Sequence, residues 1–415
     1  MPERIVSALG VVVMLGLAFA ACPRERRRHV NLRTLGGGLL LLLVAALLVL
    51  RTPVRGLFSL ANRGVERLLG FSAEGARFVF GKLVDAQGFG FVFAFQVLPT
   101  ILFFSALMAV LYHLRVMPFL IHRFGRLLSG TLRVSGAESF STAADVFVGQ
   151  TEAPLVVRPY LARMTLSELH ACMVAGFATT AGGVLAAYVM MLSASVPGIA
   201  GHLIACSVMS APASLLIAKL MLPETEPFET TGESRIELPA RSTNLLDALA
   251  TGTTDGVRLA VNVGAMLLVF LAFTALANAA LGAAGEHLLG IDLSLERVLG
   301  WLFWPLAWVM GVPAGDVSKL ASLLGQKTVL NEFVAYGQMS ERLARDPDWL
   351  SERGRLIASY ALCGFANFGS IGVQIGGYSG LAPERRADFS RLALRAMFGG
   401  LLTTNLVACV AGVLL

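Results

Sequence analysis

Apolar stretches alternate with short polar breaks along almost the whole chain, and most of the stretches are of bilayer-crossing length. About 20 apolar residues, wound as a helix, cross a hydrocarbon core of about 30 Å. By that measure residues 5–21, 35–50, 89–112, 167–193, 199–222, 244–284, 351–378 and 389–415 read as eight spanning helices. Residues 51–88 are too polar to cross. Arg51, Arg55, Arg63, Arg67, Arg77 and Lys82 recur among apolar positions there and predict one or two amphipathic helices at the outer interface. Residues 115–128 carry Arg123 and Arg126 on an otherwise apolar segment and predict an inner interfacial helix. Trp301, Trp304 and Trp308 fall at i, i+3 and i+7, on one face of a further interfacial helix. Residues 223–243, with Glu224, Glu226, Glu229, Glu233 and Glu237, read as an inner linker.

Two segments fit neither pattern. Residues 137–164 form two apolar runs too short to span, around the polar turn at 149–154. Residues 314–340 form a second such pair, with a tip near 325–331. Each predicts a re-entrant hairpin, because irregular backbone at membrane depth survives only against protein, water or a ligand. The units also resemble each other. Gly149-Gln150-Thr151-Glu152 is followed by Gly176-Phe177-Ala178-Thr179-Thr180; Gly325-Gln326, Asn331-Glu332 is followed by Gly364-Phe365-Ala366-Asn367 and Ser370. The helix after each hairpin is interrupted, at 179–183 and at 367–370. Counting crossings makes the first hairpin enter from inside and the second from outside. The predicted fold is therefore all-α, with eight spanning helices and two re-entrant hairpins in an inverted repeat.

Composition supports a membrane protein: 56% of the 415 residues are hydrophobic and 14% charged, against about 25% charged in a soluble domain. Mean hydropathy is +0.71. The net charge of +6 is small, and the arginines sit in loops, as topology signals do. Without aromatic–basic interleaving, no nucleic-acid partner is indicated. Arg24, Arg26, Arg27 and Arg28 follow the first apolar run, which argues for a retained span and against a signal peptide. The five cysteines lack paired spacing, so neither a disulfide framework nor a zinc site is expected. No nucleotide-binding or hydrolase motif occurs, so active transport would draw on an ion gradient.

An ionisable residue at membrane depth marks a substrate or ion site by default. Gln150, Thr151, Glu152, Asn331 and Glu332 offer donors and acceptors with no basic cluster nearby. That set suits a neutral solute rich in hydroxyls and amides better than a bulky anion. The alternative is that these residues cap helices and satisfy turns; Thr151 and Asn331 are good cap residues. Lys327 either neutralises Glu332 or acts in its own right. Asn367 and Ser370, with Gly364, Gly369 and Gly372, suggest an unwound stretch, although a serine can also bend a helix by bonding back one turn. Thr179 and Thr180 do the same in the first unit, where hydroxyls and free carbonyls suit a hard cation. Asp145 either serves a cation or proton, or pairs with Arg158 or Arg163.

The motifs Gly149-Gln150-Thr151-Glu152-Ala153-Pro154-Leu155, Ser210-Ala211-Pro212-Ala213-Ser214, Asn331-Glu332-Phe333-Val334-Ala335-Tyr336 and Cys363-Gly364-Phe365-Ala366-Asn367-Phe368 resemble, in order, those of the concentrative nucleoside transporters. The likeness covers about residues 115–415, and the first spans look like the shorter bacterial version. It implies a homotrimer in the bacterial inner membrane, with scaffold and transport domains, that carries a nucleoside such as uridine or adenosine in symport with sodium or a proton by an elevator motion. It implies no other cofactor. Residues 1–114 and 244–284 would belong to the scaffold; residues 115–223 and 296–415 would form the two halves of the transport domain. By the same likeness Gln150, Thr151, Glu152 and Val184 face the base, while Glu332, Asn367 and Ser370 face the ribose, with Phe365 beside them. Asp145, Val148, Thr179 and Thr180 occupy the coupling-ion positions. Asp145 departs from the family's asparagine there, which opens a choice between sodium and proton. Gly369 stands where the family often has serine. A passive facilitator on the same scaffold is the alternative; an enzyme would need a nucleophile–base pair, and none is found.

Overall fold

The computed structural model describes residues 2–51, 55–84, 92–228, 242–290 and 293–415. Among them all regular structure is helical. In chain order the helices are α1 (Pro2–Ala20), α2 (Leu32–Arg51), α3 (Arg55–Phe80), α4 (Phe93–Gln96), α5 (Leu98–His113), α6 (Val116–Leu132), α7 (Gly136–Val148), α8 (Ala153–Val156), α9 (Leu166–Ala178), α10 (Gly182–Leu192), α11 (Ile199–Met221), α12 (Leu245–Leu289), α13 (Leu295–Val309), α14 (Ala314–Val329), α15 (Glu332–Arg345), α16 (Glu352–Leu362), α17 (Phe368–Leu381) and α18 (Arg386–Leu414).

Six stretches of helix among the described residues are long and apolar enough to cross a membrane: residues 2–20, 93–113, 166–192, 199–221, 245–287 and 383–414. They coincide with six of the eight expected spans. The second expected span is α2, whose apolar part, Leu32–Leu48, is shorter. The seventh is split into α16 and α17, of 11 and 14 residues. The amphipathic reading of residues 51–88 corresponds to α3; its residues 52–54 and 85–88 lie outside the described residues.

The helices differ sharply in burial. In the stretches 166–192 and 199–221, 89% of the apolar window is buried; in 245–287 only 11% is. The long helix α12 therefore shows most of its apolar side chains to the outside and packs on α5. Gly252 and Gly256 permit that contact: a methyl at Gly252 would stand 2.6 Å from Ala109 Cβ. Small residues let membrane helices approach to backbone distance. At the centre, α18 touches α1, α9, α11, α16 and α17. Trp301, Trp304 and Trp308 are all exposed on α13, as their spacing predicted.

Helix ends are satisfied by side chains the chain places there. Ser135 and Glu138 form a capping box at the start of α7, and Thr165 and Glu168 form another at the start of α9. The free carbonyls of helix C-termini are met by arginines, which suit them in both geometry and charge. Arg353 donates to Gly311 O (2.8 Å) and Gly412 O (2.6 Å), and Arg395 donates to Met221 O (3.1 Å) and Ala21 O. These arginines hold helix ends together as well as biasing topology. Beneath α7, Lys219 pairs with buried Glu138 at 2.7 Å and donates to Ser167 Oγ at 2.9 Å. All five cysteines are free.

The structure adds detail at three places, and the last corrects an expectation. In the first unit the second apolar run is not a regular helix: α8 is a single turn, and the chain then runs through turns to residue 163. Pro159 supplies no amide donor to extend the helix there. In the second unit the turn lies at Leu330 and Asn331, within the expected 325–331, while Gly325, Gln326 and Lys327 sit inside α14. The two Gly-Gln steps are thus not equivalent. Gly149 turns the chain at φ 81°, whereas Gly325 is a contact on Leu299, whose Cβ a methyl there would meet at 2.4 Å. Finally, the break in the second interrupted helix spans residues 363–367. Asn367 is the N-cap of α17 and Ser370 lies in its first turn, not in an unwound stretch.

Candidate functional site

The breaks and tips converge. In the first unit, a methyl on Gly149 would meet Ala181 Cβ at 2.7 Å, so the first tip abuts the gap between α9 and α10. Gly364, at φ 135°, lies against Ala178 O and Thr404 Cγ2, which a methyl would approach to 2.9 and 2.8 Å. Thr180 Oγ1 and Cys363 Sγ are 3.7 Å apart. The two interrupted helices therefore meet at their interruptions, where helix termini turn unpaired backbone groups and dipole ends inward.

A cavity of about 1740 Å³ opens beside this junction. Gln150, Thr151, Glu152, Val184, Glu332, Phe365, Asn367 and Ser370 all line it. They come from four separated segments of the chain. The opposite wall is formed by α5 and α12, through residues such as Met108, Asn262 and Met266. The cavity thus lies between the outer pair and the inner helices.

Glu332 is 3% exposed. Tyr188 Oη donates to its Oε1 at 2.8 Å, and Asn367 Nδ2 donates to its Oε2 at 3.0 Å. A carboxylate has about four lone-pair positions, so two donors hold it while acceptor capacity remains. Asn367 is itself fixed, because its Oδ1 accepts from Ser370 N at 2.8 Å as the cap of α17. It both caps a helix and orients the carboxylate. Asn331 is the N-cap of α15, accepting from Val334 N at 2.9 Å; for it the capping role is observed. Thr151 does not cap; it is exposed at the tip. Glu152 is half-buried at the N-cap position of α8. Lys327 does not pair with Glu332: its ammonium donates to Ala361 O at 3.0 Å and Thr404 Oγ1 at 2.9 Å, bracing the end of α16. Ser370 Oγ accepts from Gln150 Nε2 at 3.2 Å.

Of the four coupling positions only Val148 lines the cavity. Asp145 is buried behind it, beside Gly176, where a methyl would stand 3.5 Å from Asp145 Oδ1. Among the described residues neither carboxylate oxygen has a hydrogen-bond partner, and Arg158 and Arg163 are exposed, which speaks against the ion-pair reading of Asp145. A buried carboxylate without a partner is costly unless a cation or proton neutralises it. Thr179 Oγ1 donates back to Ala175 O at 2.9 Å, which leaves its lone pairs facing outward from the helix end. Thr180 Oγ1 is 3.4 Å from Ser207 Oγ.

Two participants escaped the sequence reading. Tyr188 follows Val184 by one helical turn, and Gln374 follows Ser370 by one turn, so an i, i+4 extension from each candidate would have found them. His170 is fully buried in α9.

A helical bundle whose interrupted helices meet beside one cavity lined by amide, hydroxyl and carboxylate side chains fits the architecture of a secondary transporter. Family models agree in detail: "Na+ dependent nucleoside transporter C-terminus" matches residues 202–412, the corresponding N-terminus model residues 9–83, and "Nucleoside recognition" residues 94–195. The chain belongs to the Na+ dependent nucleoside transporter family, whose members are multi-pass membrane transporters and not enzymes. It is 42% identical to the sodium/nucleoside cotransporter 1 of Rattus norvegicus over the whole of this chain, and spans 64% of that relative's length. An uncharacterised transporter of Haemophilus influenzae is 43% identical, with 98% of this chain and 96% of that protein covered. Among solved structures, CNTnw in an inward-facing, substrate-bound state superimposes with a TM-score of 0.91 at 45% identity, covering 99% of this chain and 98% of that one.

Proposed function

We propose that this protein is a cation-coupled nucleoside importer. The observation that carries the reading is the single cavity lined by all eight candidate side chains, with the Glu332 carboxylate held by Tyr188 and Asn367. A vicinal diol offers two donors to one carboxylate, and a base edge offers donors and acceptors to Gln150, Thr151 and Glu152; this is the pattern of a ribonucleoside.

Asp145, Val148, Thr179 and Thr180 form the coupling region. The unpartnered Asp145 carboxylate supports cation binding there, by sodium or by a proton. Segments 137–164 and 314–340 act as re-entrant hairpins of an inverted repeat. The inner helices, residues 115–223 and 296–415, move as the transport domain against a scaffold of residues 1–114 and 244–284. The cavity's place between the outer pair and the inner helices supports an elevator motion, because sliding the inner helices would carry the site past α5 and α12. The outward apolar faces of α12 and α1 fit lipid or the contacts of a homotrimer, in a bacterial inner membrane.

Uptake of radiolabelled uridine and adenosine into proteoliposomes, with sodium and pH gradients imposed independently, tests the reading. Accumulation above the outside concentration under one of the gradients is expected. Equilibration without accumulation would make the protein a passive facilitator, and no uptake of any nucleoside would overturn the assignment.

A further inference from the structure

Gln374 lies in α17, 1% exposed and outside the lining of the cavity, yet it touches the cavity through Gln150. Its Nε2 donates to Met173 O at 3.1 Å and to Gln150 Oε1 at 3.1 Å. Gln150 in turn donates from Nε2 to Ser370 Oγ at 3.2 Å. The oxygen and nitrogen of a glutamine amide look alike in shape, so its orientation is decided by its partners. Here one partner leaves no choice. Met173 O is a backbone carbonyl and can only accept, so Gln374 must turn its NH2 toward it. The same NH2 faces Gln150, which must answer with its oxygen. Gln150 is then obliged to turn its own NH2 away, toward Ser370 and the cavity. Gln374 is buried outside the cavity lining, so water does not relax its orientation.

We propose that Gln374 is a positioning residue that fixes the flip of the Gln150 amide, and so makes the Gln150 position of the base-side wall a hydrogen-bond donor that selects nucleobases presenting an acceptor there. The proposal rests on the nucleoside-transport reading and adds a rule for base choice. Oxo bases offer a carbonyl to such a donor. The corresponding amino bases bring NH2 against NH2, and a buried donor then loses its partner. A pocket built for one hydrogen-bond polarity rejects the opposite polarity far more strongly than it rejects a change of size. Gly176 belongs to the same device. A methyl there would stand 2.7 Å from Gln374 Nε2 and 3.0 Å from Gln150 Cβ, so only glycine leaves the two amides in register.

The test is competition against radiolabelled uridine uptake by unlabelled uridine, cytidine and 3′-deoxyuridine, in the wild type and in Gln374→Met and Gly176→Ala. Methionine keeps the length of the side chain and removes the donor that orients Gln150. In the wild type uridine should compete better than cytidine by about tenfold or more, as expected for one mispaired buried donor. In both variants that ratio should fall toward one, because Gln150 can then turn either group to the base. The ratio of uridine to 3′-deoxyuridine should stay unchanged, since Glu332, Tyr188 and Asn367 are untouched. For a variant that does not transport, the same ratios are read from thermal stabilisation of the purified protein by each nucleoside. An equal response of the wild type to uridine and cytidine, or a variant ratio equal to the wild-type ratio, would overturn the proposal while leaving nucleoside transport standing. A wild type that neither binds nor transports any nucleoside overturns both.

Discussion

Replacing Glu332 by glutamine exchanges one carboxylate oxygen for an NH2 and should disable the ribose side of the cavity. In the wild type, the carboxylate accepts from Tyr188 Oη at 2.8 Å and Asn367 Nδ2 at 3.0 Å, with its remaining lone pairs available to a ligand. Asn367 cannot reverse its amide, because its Oδ1 caps α17 through Ser370 N. It therefore demands an acceptor from position 332, and the glutamine must turn its oxygen there. The NH2 then faces Tyr188, whose hydroxyl rotates to accept. One lone pair is left for the ribose where the carboxylate offered about two, and the charge is gone. A hydrogen bond to a charged group contributes about 1.5–3 kcal/mol, so losing one should weaken nucleoside binding by roughly 10- to 150-fold. The fold should be little affected, since the Asn367 cap of α17 is kept and only the Tyr188 O–H loses its acceptor. The assay is initial uridine uptake at several concentrations in proteoliposomes, normalised to the amount of correctly inserted protein. 3′-Deoxyuridine is the internal comparison: it lacks a hydroxyl that the carboxylate would take, so Glu332→Gln should narrow the gap between it and uridine. Near-normal uridine uptake by well-inserted Glu332→Gln protein would refute the ribose role of this carboxylate.

Tyr188→Phe removes one of the two donors that aim the carboxylate; uridine uptake should show a KM about fivefold higher, with the uridine-to-cytidine preference intact, and an altered base preference would argue against this placement. Asp145→Asn removes the carboxylate charge from the proposed coupling region, so uptake should depend more firmly on sodium and respond less to a pH gradient. Sodium titrations at several fixed pH values check this, and identical curves for mutant and wild type would exclude Asp145 from coupling. Gly364→Ala puts a methyl 2.8 Å from Thr404 Cγ2 and 2.9 Å from Ala178 O at a φ of 135°. It should cost about 2 kcal/mol or more, seen as a lower Tm in detergent, and an unchanged Tm would mean the break relaxes freely.

The amino-acid sequence by itself determined the membrane class, most of the spans, the place of both helix interruptions to within a few residues, and the carboxylates and amides around them. These are local properties. The energy of placing a residue in lipid depends on that residue and its near neighbours, so apolar runs, their lengths and the polar residues that violate them can be read along the chain. The tertiary structure decided how those groups are paired. Tyr188 meets Glu332 across 144 residues and Gln374 meets Gln150 across 224, separations at which no periodicity carries information. The partnerless burial of Asp145 and the turning of Lys327 away from Glu332 were likewise invisible, because each depends on what other helices bring alongside. Even the tip of the second hairpin followed this rule. The Gly-Gln step looks the same in both units, but Gly149 packs against the gap at Ala181 and turns, whereas Gly325 packs against Leu299 and stays helical. What a glycine does in a helix-rich protein is set by the surface pressed against it, and that surface comes from elsewhere in the chain.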